Sequence, residues 1–135
     1  MAWQTPKTNW VSTDFFNVGD FNRIKGNLLY LQDYLNKLFP RTDIESMGAD
    51  KTYASMIYAN EFNRIEDNLE ALNLGSYVLS IGEKPVYQPN GTTTLFSELN
   101  RIEGAMLSLY ERAQLDVAIL PRLAVRLGYV KGVKV

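Results

Sequence analysis

Carboxylates are the only side chains in this sequence suited to acid–base chemistry near neutral pH. The 135 residues include no histidine and no cysteine, which excludes a Ser-His-Asp triad, a thiol nucleophile and most kinds of zinc site. Glu66, Asp67 and Glu70 fall within one stretch of predicted helix, and Glu103 repeats the position of Glu66 in a later copy. Two facing carboxylates hydrolyse a glycosidic bond when burial raises the pKa of one of them.

The plainer interpretation of these acids is a solvated helix face, and it is the one the sequence favours. No strand–glycine loop–helix pattern surrounds Gly26 or Gly104, so no phosphate loop is predicted. The acids also lack the spacing of an EF-hand loop, which argues against a calcium site. We therefore predict no catalytic residue, no metal ion and no cofactor.

Composition indicates a globular chain with one core. The hydrophobic fraction is 46% and the charged fraction 21%, both ordinary for a soluble domain of this length. A net charge of −1 argues against nonspecific nucleic-acid binding. Because no apolar run approaches the roughly 18 residues of a membrane span, we predict no membrane insertion.

One sequence motif occurs three times in the chain, at residues 20–28, 61–69 and 98–106. Each copy has an acid, a large apolar residue and Asn-Arg-Ile, and ends on Leu or Met. The asparagines lie 41 and 37 residues apart, which makes the chain an internal repeat. The nine motif residues are Asn22, Arg23, Ile24, Asn63, Arg64, Ile65, Asn100, Arg101 and Ile102.

Apolar residues at three-four spacing predict three helices, over about residues 18–38, 55–74 and 94–119. Asn17, three residues before Asp20, has the types of a helix N-cap with an acidic third position. Pro40 and Pro121 are expected to end the first and third helices. Residues 1–16, with four large aromatics, are predicted to be an extended leader anchored on the helices.

The heptad pattern places the motif isoleucines in the core but the Asn-Arg pairs outside it. One interpretation is that Asn-Arg is a remnant of duplication. The other is structural: Asn bonds nearby backbone, and Arg reaches a carboxylate on its own or a neighbouring helix. On that second interpretation, Arg64→Ala lowers stability.

The links between the predicted helices are about 15 and 18 residues long, unusually long for a helical bundle. Links of this length can return the chain so that every helix starts at the same end, giving a pseudo-threefold bundle. The alternative is an antiparallel bundle with decorated loops.

Two stretches are β-prone. Residues 77–81 and 86–87 predict a short hairpin, and residues 121–135 form a basic, β-branched tail after a helical domain of residues 1–120. The tail either pairs within the domain or adds a strand to a neighbouring chain. Its candidate interface residues are Arg122, Val125, Arg126, Leu127, Tyr129 and Lys131.

The sequence resembles a pattern in tail or baseplate proteins of phages and prophages of Gram-positive bacteria. The resemblance covers Trp10, residues 14–17 and the first motif copy, and the later copies are similar to repeats that such proteins carry. The third copy departs from the pattern, with Ala105 where the others have Asn27 and Asn68. The resemblance implies a virion protein, made in the host cytoplasm, that assembles with itself and with other tail proteins. It implies no catalytic residue.

We therefore predict a mainly α protein: a three-helix bundle built from three repeats, with a short β-hairpin and a β-prone tail. The predicted function is a non-enzymatic structural or adaptor component of a phage tail or baseplate. One alternative is a small tail-associated glycan hydrolase that uses a carboxylate pair. Another is a DNA-binding three-helix module, which would need a basic recognition helix that none of the predicted helices supplies.

Overall fold

Three helices make up the regular structure of this protein. The computed structural model describes residues 2–89 and 95–127, with side chains as far as residue 119. The helices are α1 (Val18–Leu35), α2 (Ala59–Leu74) and α3 (Leu95–Leu127), and each packs against the other two. The described residues include no β-strand. The prediction of a mainly α, three-helix bundle is confirmed.

The predicted heptad seam forms the core. The three motif isoleucines are completely buried, at 0% exposure, and each such side chain contributes about 1.5–3 kcal/mol relative to an exposed position. Apolar residues from all three helices surround them in a single cluster. Its other helical members are Phe21, Leu28, Leu31, Leu35, Phe62, Leu69, Leu72, Leu99, Ala105, Met106, Leu109 and Ala113.

The start of α1 has the predicted cap. Asn17 Oδ1 accepts the Asp20 N–H at 3.0 Å, and Asp20 Oδ2 accepts the Asn17 N–H at 3.0 Å. This reciprocal capping box satisfies two N–H groups that a helix start leaves without partners. The helix ends at Leu35 rather than at the predicted residue 38, and the chain then continues into a turn.

The second helix begins at residue 59 rather than 55. Residues 55–58 are not helical, and the Tyr58 N–H donates to Glu61 Oε1 at 2.9 Å. Glu61 therefore marks the third helical position, as Asp20 does in α1.

All three helices run in the same direction. Arg23 of α1 pairs with Glu103 of α3, and farther along both helices the rings of Tyr34 and Tyr110 lie 5.8 Å apart. Residues with higher numbers in α1 lie beside residues with higher numbers in α3, so the two helices are parallel. The same comparison holds for α2 and α3, through the Glu66–Arg101 pair and the later Tyr77–Asp116 hydrogen bond. The fold is the parallel arrangement rather than the antiparallel bundle.

Three extended segments, which we call straps, precede the helices. Strap 1 is residues 2–16, strap 2 is residues 40–57, and strap 3 is residues 76–89, as far as the structure describes it. In strap 1 the indole of Trp3 stacks on Tyr110 with a centroid distance of 4.1 Å, and Trp10 is buried. The ring of Phe16 also contacts the body, whereas Phe15 is 89% exposed.

The predicted β-hairpin in strap 3 is wrong. Residues 77–87 contain no strand. The Asn73 side chain bonds both the N–H and the C=O of Leu79, at 2.8 Å each. Asn63 does the same for Tyr87. Backbone groups that a hairpin would pair with one another are therefore bonded by helix side chains.

The predicted β-prone tail is not supported. The third helix continues through Pro121 to Leu127, so residues 121–127 are helical. In the sequence, leucines 120, 123 and 127 extend the three-four spacing of the seam, which favours a helix over a strand. Of the predicted interface residues, Arg122, Val125, Arg126 and Leu127 belong to this helix, and Tyr129 and Lys131 lie outside the described residues.

Candidate functional site

The first asparagine of each motif binds the backbone of a strap. Its Nδ2 donates to a strap carbonyl, and its Oδ1 accepts the N–H of the same residue, with distances of 2.7–3.0 Å. The side-chain amide thus takes the place of a neighbouring strand. The three pairs are Asn22 with Lys51, Asn63 with Tyr87, and Asn100 with Trp10.

A second asparagine repeats this clamp six strap residues earlier in two of the copies. Asn27 bonds the N–H and C=O of Gln4 at 2.9 and 2.7 Å. Asn68 bonds those of Glu45 at 2.9 and 3.0 Å. Each of straps 1 and 2 is therefore held at two points, by the helix that follows it and by the neighbouring helix.

The third copy lacks the second clamp because Ala105 replaces the asparagine. Arg101 Nη1 instead donates to the Ile81 carbonyl at 3.3 Å. A cavity of about 580 Å³ lies at this place, lined by residues 79–82 of strap 3 and by small residues of α3 that include Gly104 and Ser108.

We expect Asn63→Ala to lower the free energy of unfolding by about 2–3 kcal/mol. The substitution leaves the Tyr87 N–H and C=O without their partners, and each unsatisfied buried group costs about 1–3 kcal/mol. The matched control is Asn60→Ala, one turn earlier on the same helix at an exposed position, where a change within about 0.5 kcal/mol is expected. Chemical denaturation followed by circular dichroism measures both, and equal effects would contradict the clamp.

The first of three helix–helix junctions joins Arg23 to Glu103. The guanidinium donates to both carboxylate oxygens, from Nε at 3.0 Å and from Nη2 at 2.7 Å. The same carboxylate accepts the Trp10 Nε1–H at 2.7 Å and the Lys7 N–H at 3.1 Å. Glu103 is 0% exposed, so these four donors compensate a fully buried charge.

The second junction joins Arg101 to Glu66 through Nη2 and Oε2, while Arg101 Nε donates to Glu98 at 2.8 Å. Glu66, which is 2% exposed, pairs with the Arg101 guanidinium, and Tyr87 Oη donates to its Oε2 at 2.8 Å. Burial raises the pKa of the Glu66 carboxyl, although the hydrogen bonds from Arg101 and Tyr87 act in the opposite direction. Burial and the bond to Glu66 also raise the pKa of the Tyr87 phenol. Tyr87 of strap 3 and Trp10 of strap 1 thus have equivalent roles, because each donates a hydrogen bond to a buried glutamate.

The third junction lacks the buried glutamate that the other two have. Lys25 occupies the position of Glu66 and Glu103, three residues after the motif asparagine, and it is buried at 5% exposure. Its ammonium bonds the Gly48 carbonyl at 3.0 Å and pairs with Asp50. Arg64, the counterpart of Arg23, donates to the Ser46 carbonyl at 3.5 Å and pairs with no carboxylate among the described residues. Arginine–glutamate pairs therefore join α1 to α3 and α3 to α2, whereas the described residues show no such pair between α1 and α2.

We expect Lys25→Glu to couple Arg64 to the fold. A carboxylate at position 25 gives the Arg64 guanidinium the partner that the other two motif arginines have. Arg64→Ala should then cost at least about 1 kcal/mol more in the Lys25→Glu background than in the native background, which a double-mutant cycle measures. A coupling energy near zero would contradict the equivalence of the three junctions.

The structure corrects the expectation that the acids form a solvated face. Asp67 and Glu70 are partly exposed and pair with Lys84 at 2.6 and 2.9 Å, but Glu66 and Glu103 are buried. The recurrence of Glu three residues after the motif asparagine, in two of three copies, was the sequence signal for these partners. Two cavities lined by described residues, of about 690 and 580 Å³, have no carboxylate in their walls.

The described residues contain no group of three or more potential metal ligands. Within the described part of the chain, none of the helices combines the length and the apolar character that crossing a membrane requires. No family model matches the sequence, and comparisons with curated proteins and with solved structures found no match.

Proposed function

We propose that this chain is a non-enzymatic structural or adaptor component of a phage tail or baseplate, located in the virion. The observation that carries the proposal is the use of the repeated motif: each motif asparagine binds the backbone of a strap through both atoms of its side-chain amide. The polar residues that resemble the tail-protein pattern therefore build a scaffold. A scaffold of this kind suits a role in protein–protein assembly.

The exposed surface near the helix starts supports the same proposal. Phe15 and Met56 occupy equivalent positions, two residues before the helix caps, and are 89% and 66% exposed. Tyr53 and Tyr58 of the second repeat are also exposed, at 98% and 57%. These side chains are accessible for contacts with other proteins, as the proposed assembly role requires.

One observation favours the alternative of a glycan hydrolase. Burial raises the pKa of the Glu66 carboxyl, which is a property of a general acid. Against it, one Glu66 oxygen already accepts hydrogen bonds from Tyr87 and Arg101, and both oxygens of Glu103 accept bonds from protein donors. Both Glu103 oxygens are thus occupied, and Glu66 is 2% exposed and lines neither the 690 Å³ nor the 580 Å³ cavity, so we favour the structural role.

Deletion of the gene from the phage or prophage genome that carries it tests the proposal. Induced lysates examined by negative-stain electron microscopy should contain particles with missing or incomplete tails, and the native gene supplied in trans should restore them. Complementation by a Phe15→Ser, Met56→Ser double variant should be weaker than complementation by Val86→Ser, which alters an exposed residue 69% accessible in strap 3. Normal tails in the deletion strain would overturn the proposal.

Zymography tests the alternative function, a glycan hydrolase. Purified native protein should clear no zone in a gel that contains bacterial cell walls. A cleared zone would instead support the glycan hydrolase.

A further inference from the structure

One clamp position of the fold has an alanine instead of an asparagine. In straps 1 and 2 the two clamped residues lie six positions apart. In strap 3 the later clamp holds Tyr87, so the residue at the earlier clamp position is Ile81 (87 − 6). The helix residue at the second-clamp position is Asn27 in α1, Asn68 in α2 and Ala105 in α3. Because Ile81 and Ala105 both line the cavity of about 580 Å³, this cavity lies where the other two copies have a side-chain amide.

The backbone of Ile81 is short of hydrogen-bond partners at this position. Among the described residues its N–H has no acceptor, and its C=O accepts one long bond, at 3.3 Å from Arg101 Nη1. A carbonyl oxygen has two lone pairs and can accept a second bond. At the equivalent positions of straps 1 and 2, the N–H and the C=O of one residue bond the same side-chain amide, because an extended residue directs both groups to one side. The Ile81 position therefore offers the donor and the acceptor that a carboxamide satisfies.

The walls of this cavity leave room for a side chain from another protein. Helix α3 contributes the small residues Gly104, Ala105 and Ser108. A Cβ atom added at Gly104 would meet nothing within 4 Å beyond its own helix, and Ser108 is exposed, so the cavity opens to the surface. A volume of about 580 Å³ falls within the usual range of ligand sites, about 300–1,000 Å³.

The charges beside the cavity favour a neutral occupant. Arg101 pairs with Glu66 and also with Glu98, the latter at 2.8 Å. One guanidinium thus serves two carboxylates, which leaves a local net charge of −1 (one positive and two negative groups). This excess repels a further carboxylate. A carboxamide provides an acceptor oxygen and a donor NH₂ group without adding charge.

We propose that the cavity is a docking site for an asparagine or glutamine side chain of a partner protein, whose carboxamide bonds the backbone of Ile81. The amide oxygen accepts the Ile81 N–H, and the amide NH₂ donates to the Ile81 C=O. The partner thereby completes strap 3 as Asn27 and Asn68 complete straps 1 and 2. The inference rests on the proposed structural function and names the chemistry by which an assembling protein is recognised.

NMR titration of the full native chain tests this chemistry. The probe is N-acetylglutamine N-methylamide, and the matched controls are the same capped forms of glutamate and methionine, which share its backbone amides. The glutamine probe should shift the amide cross-peak of Ile81 in a saturable way. Its affinity should be at least about tenfold higher than that of either control, because only the carboxamide makes both hydrogen bonds. An unshifted Ile81 cross-peak, or equal affinities for the three probes, would overturn the inference.

The Ala105→Asn variant supplies the carboxamide from the chain itself. It should bind the glutamine probe at least about tenfold more weakly than the native protein, and hydrogen exchange at the Ile81 N–H should slow. The matched control is Ala118→Asn, the same substitution at an exposed position of the same helix, which should change neither quantity. A folded Ala105→Asn variant with native affinity for the probe would contradict the proposed site. The titration of the native chain does not depend on whether this variant folds.

The phage complementation assay tests whether the occupant belongs to a partner protein. Ala105→Asn should restore tails less well than Ala118→Asn, because its own amide occupies the site. Equal complementation by the two variants would rule out docking of a partner there. These outcomes are separate from the deletion test. Normal tails after deletion remove the proposed function and leave the titration result standing, and an unshifted Ile81 cross-peak removes the docking site and leaves the deletion result standing.

Discussion

Glu103→Gln is expected to lower the free energy of unfolding by about 3–5 kcal/mol. The carboxylate is completely buried and compensates the Arg23 guanidinium, which is itself only 15% exposed. Without the Glu103 carboxylate, Arg23 keeps only Asp20 of its own helix as a charged partner, at 2.8 Å, and breaking a buried ion pair causes losses of about this size. The glutamine also turns an NH₂ group toward the Trp10 indole N–H or the arginine, so at least one donor loses its acceptor.

Urea denaturation followed by circular dichroism measures this loss. The control is Glu111→Gln on the same helix, an exposed acid, with an expected change within about 0.5 kcal/mol. Tryptophan fluorescence should also change in Glu103→Gln, because the indole N–H of Trp10 no longer binds a charged carboxylate. A Glu103→Gln variant within 1 kcal/mol of the native protein would show that the first junction does not stabilise the fold.

The helical core was predictable because its signal is local. The apolar residues of each helix recur every three or four positions, and this spacing alone determines which face is buried. Residues such as Leu28, Leu69 and Leu109 therefore lie in the core as expected. The cap at Asn17 was equally predictable, because its partner Asp20 is only three residues away in sequence.

The role of Asn-Arg was predictable in kind but not in detail. The motif falls outside the heptad seam, which indicated backbone hydrogen bonds for Asn and carboxylate partners for Arg. The actual partners are distant along the chain: Asn22 bonds a residue 29 positions away, and Asn100 one 90 positions away. Only the three-dimensional arrangement of the straps brings these groups together.

Strap 3 shows why local propensity failed. Residues 77–81 have the β-branched and aromatic character of a strand, and Tyr77, Leu79 and Ile81 are indeed partly buried. Propensity describes how a side chain fits a half-buried extended backbone, and it carries no information on what pairs with that backbone. Here asparagine side chains do so, and no neighbouring strand is needed.

Identical motif positions also hide different environments. Arg23, Arg64 and Arg101 are indistinguishable within the repeat, and the structural interpretation of the motif assigned Arg64 the same importance as the others. The third residue after each asparagine separates them, because it is Glu in two cases and Lys25 in the third. The partner of each arginine lies on another helix, so the repeat alone could not match them.

Arg101→Ala is expected to destabilise the protein by about 3–5 kcal/mol, whereas Arg64→Ala should cost less than about 1 kcal/mol. Among the described residues, loss of the Arg101 guanidinium leaves the Tyr87 hydroxyl as the one donor to the buried Glu66 carboxylate, and a buried charge that loses its partner is costly. Arg64 makes a long contact to the Ser46 carbonyl and no ion pair within the part of the chain that the structure describes, so its removal resembles a surface substitution. The two arginines occupy the same motif position on neighbouring helices, and each variant is therefore the control for the other. Thermal and urea denaturation of both variants measure the difference. Equal losses of stability would mean that the ion pair between Arg101 and Glu66 does not stabilise the protein.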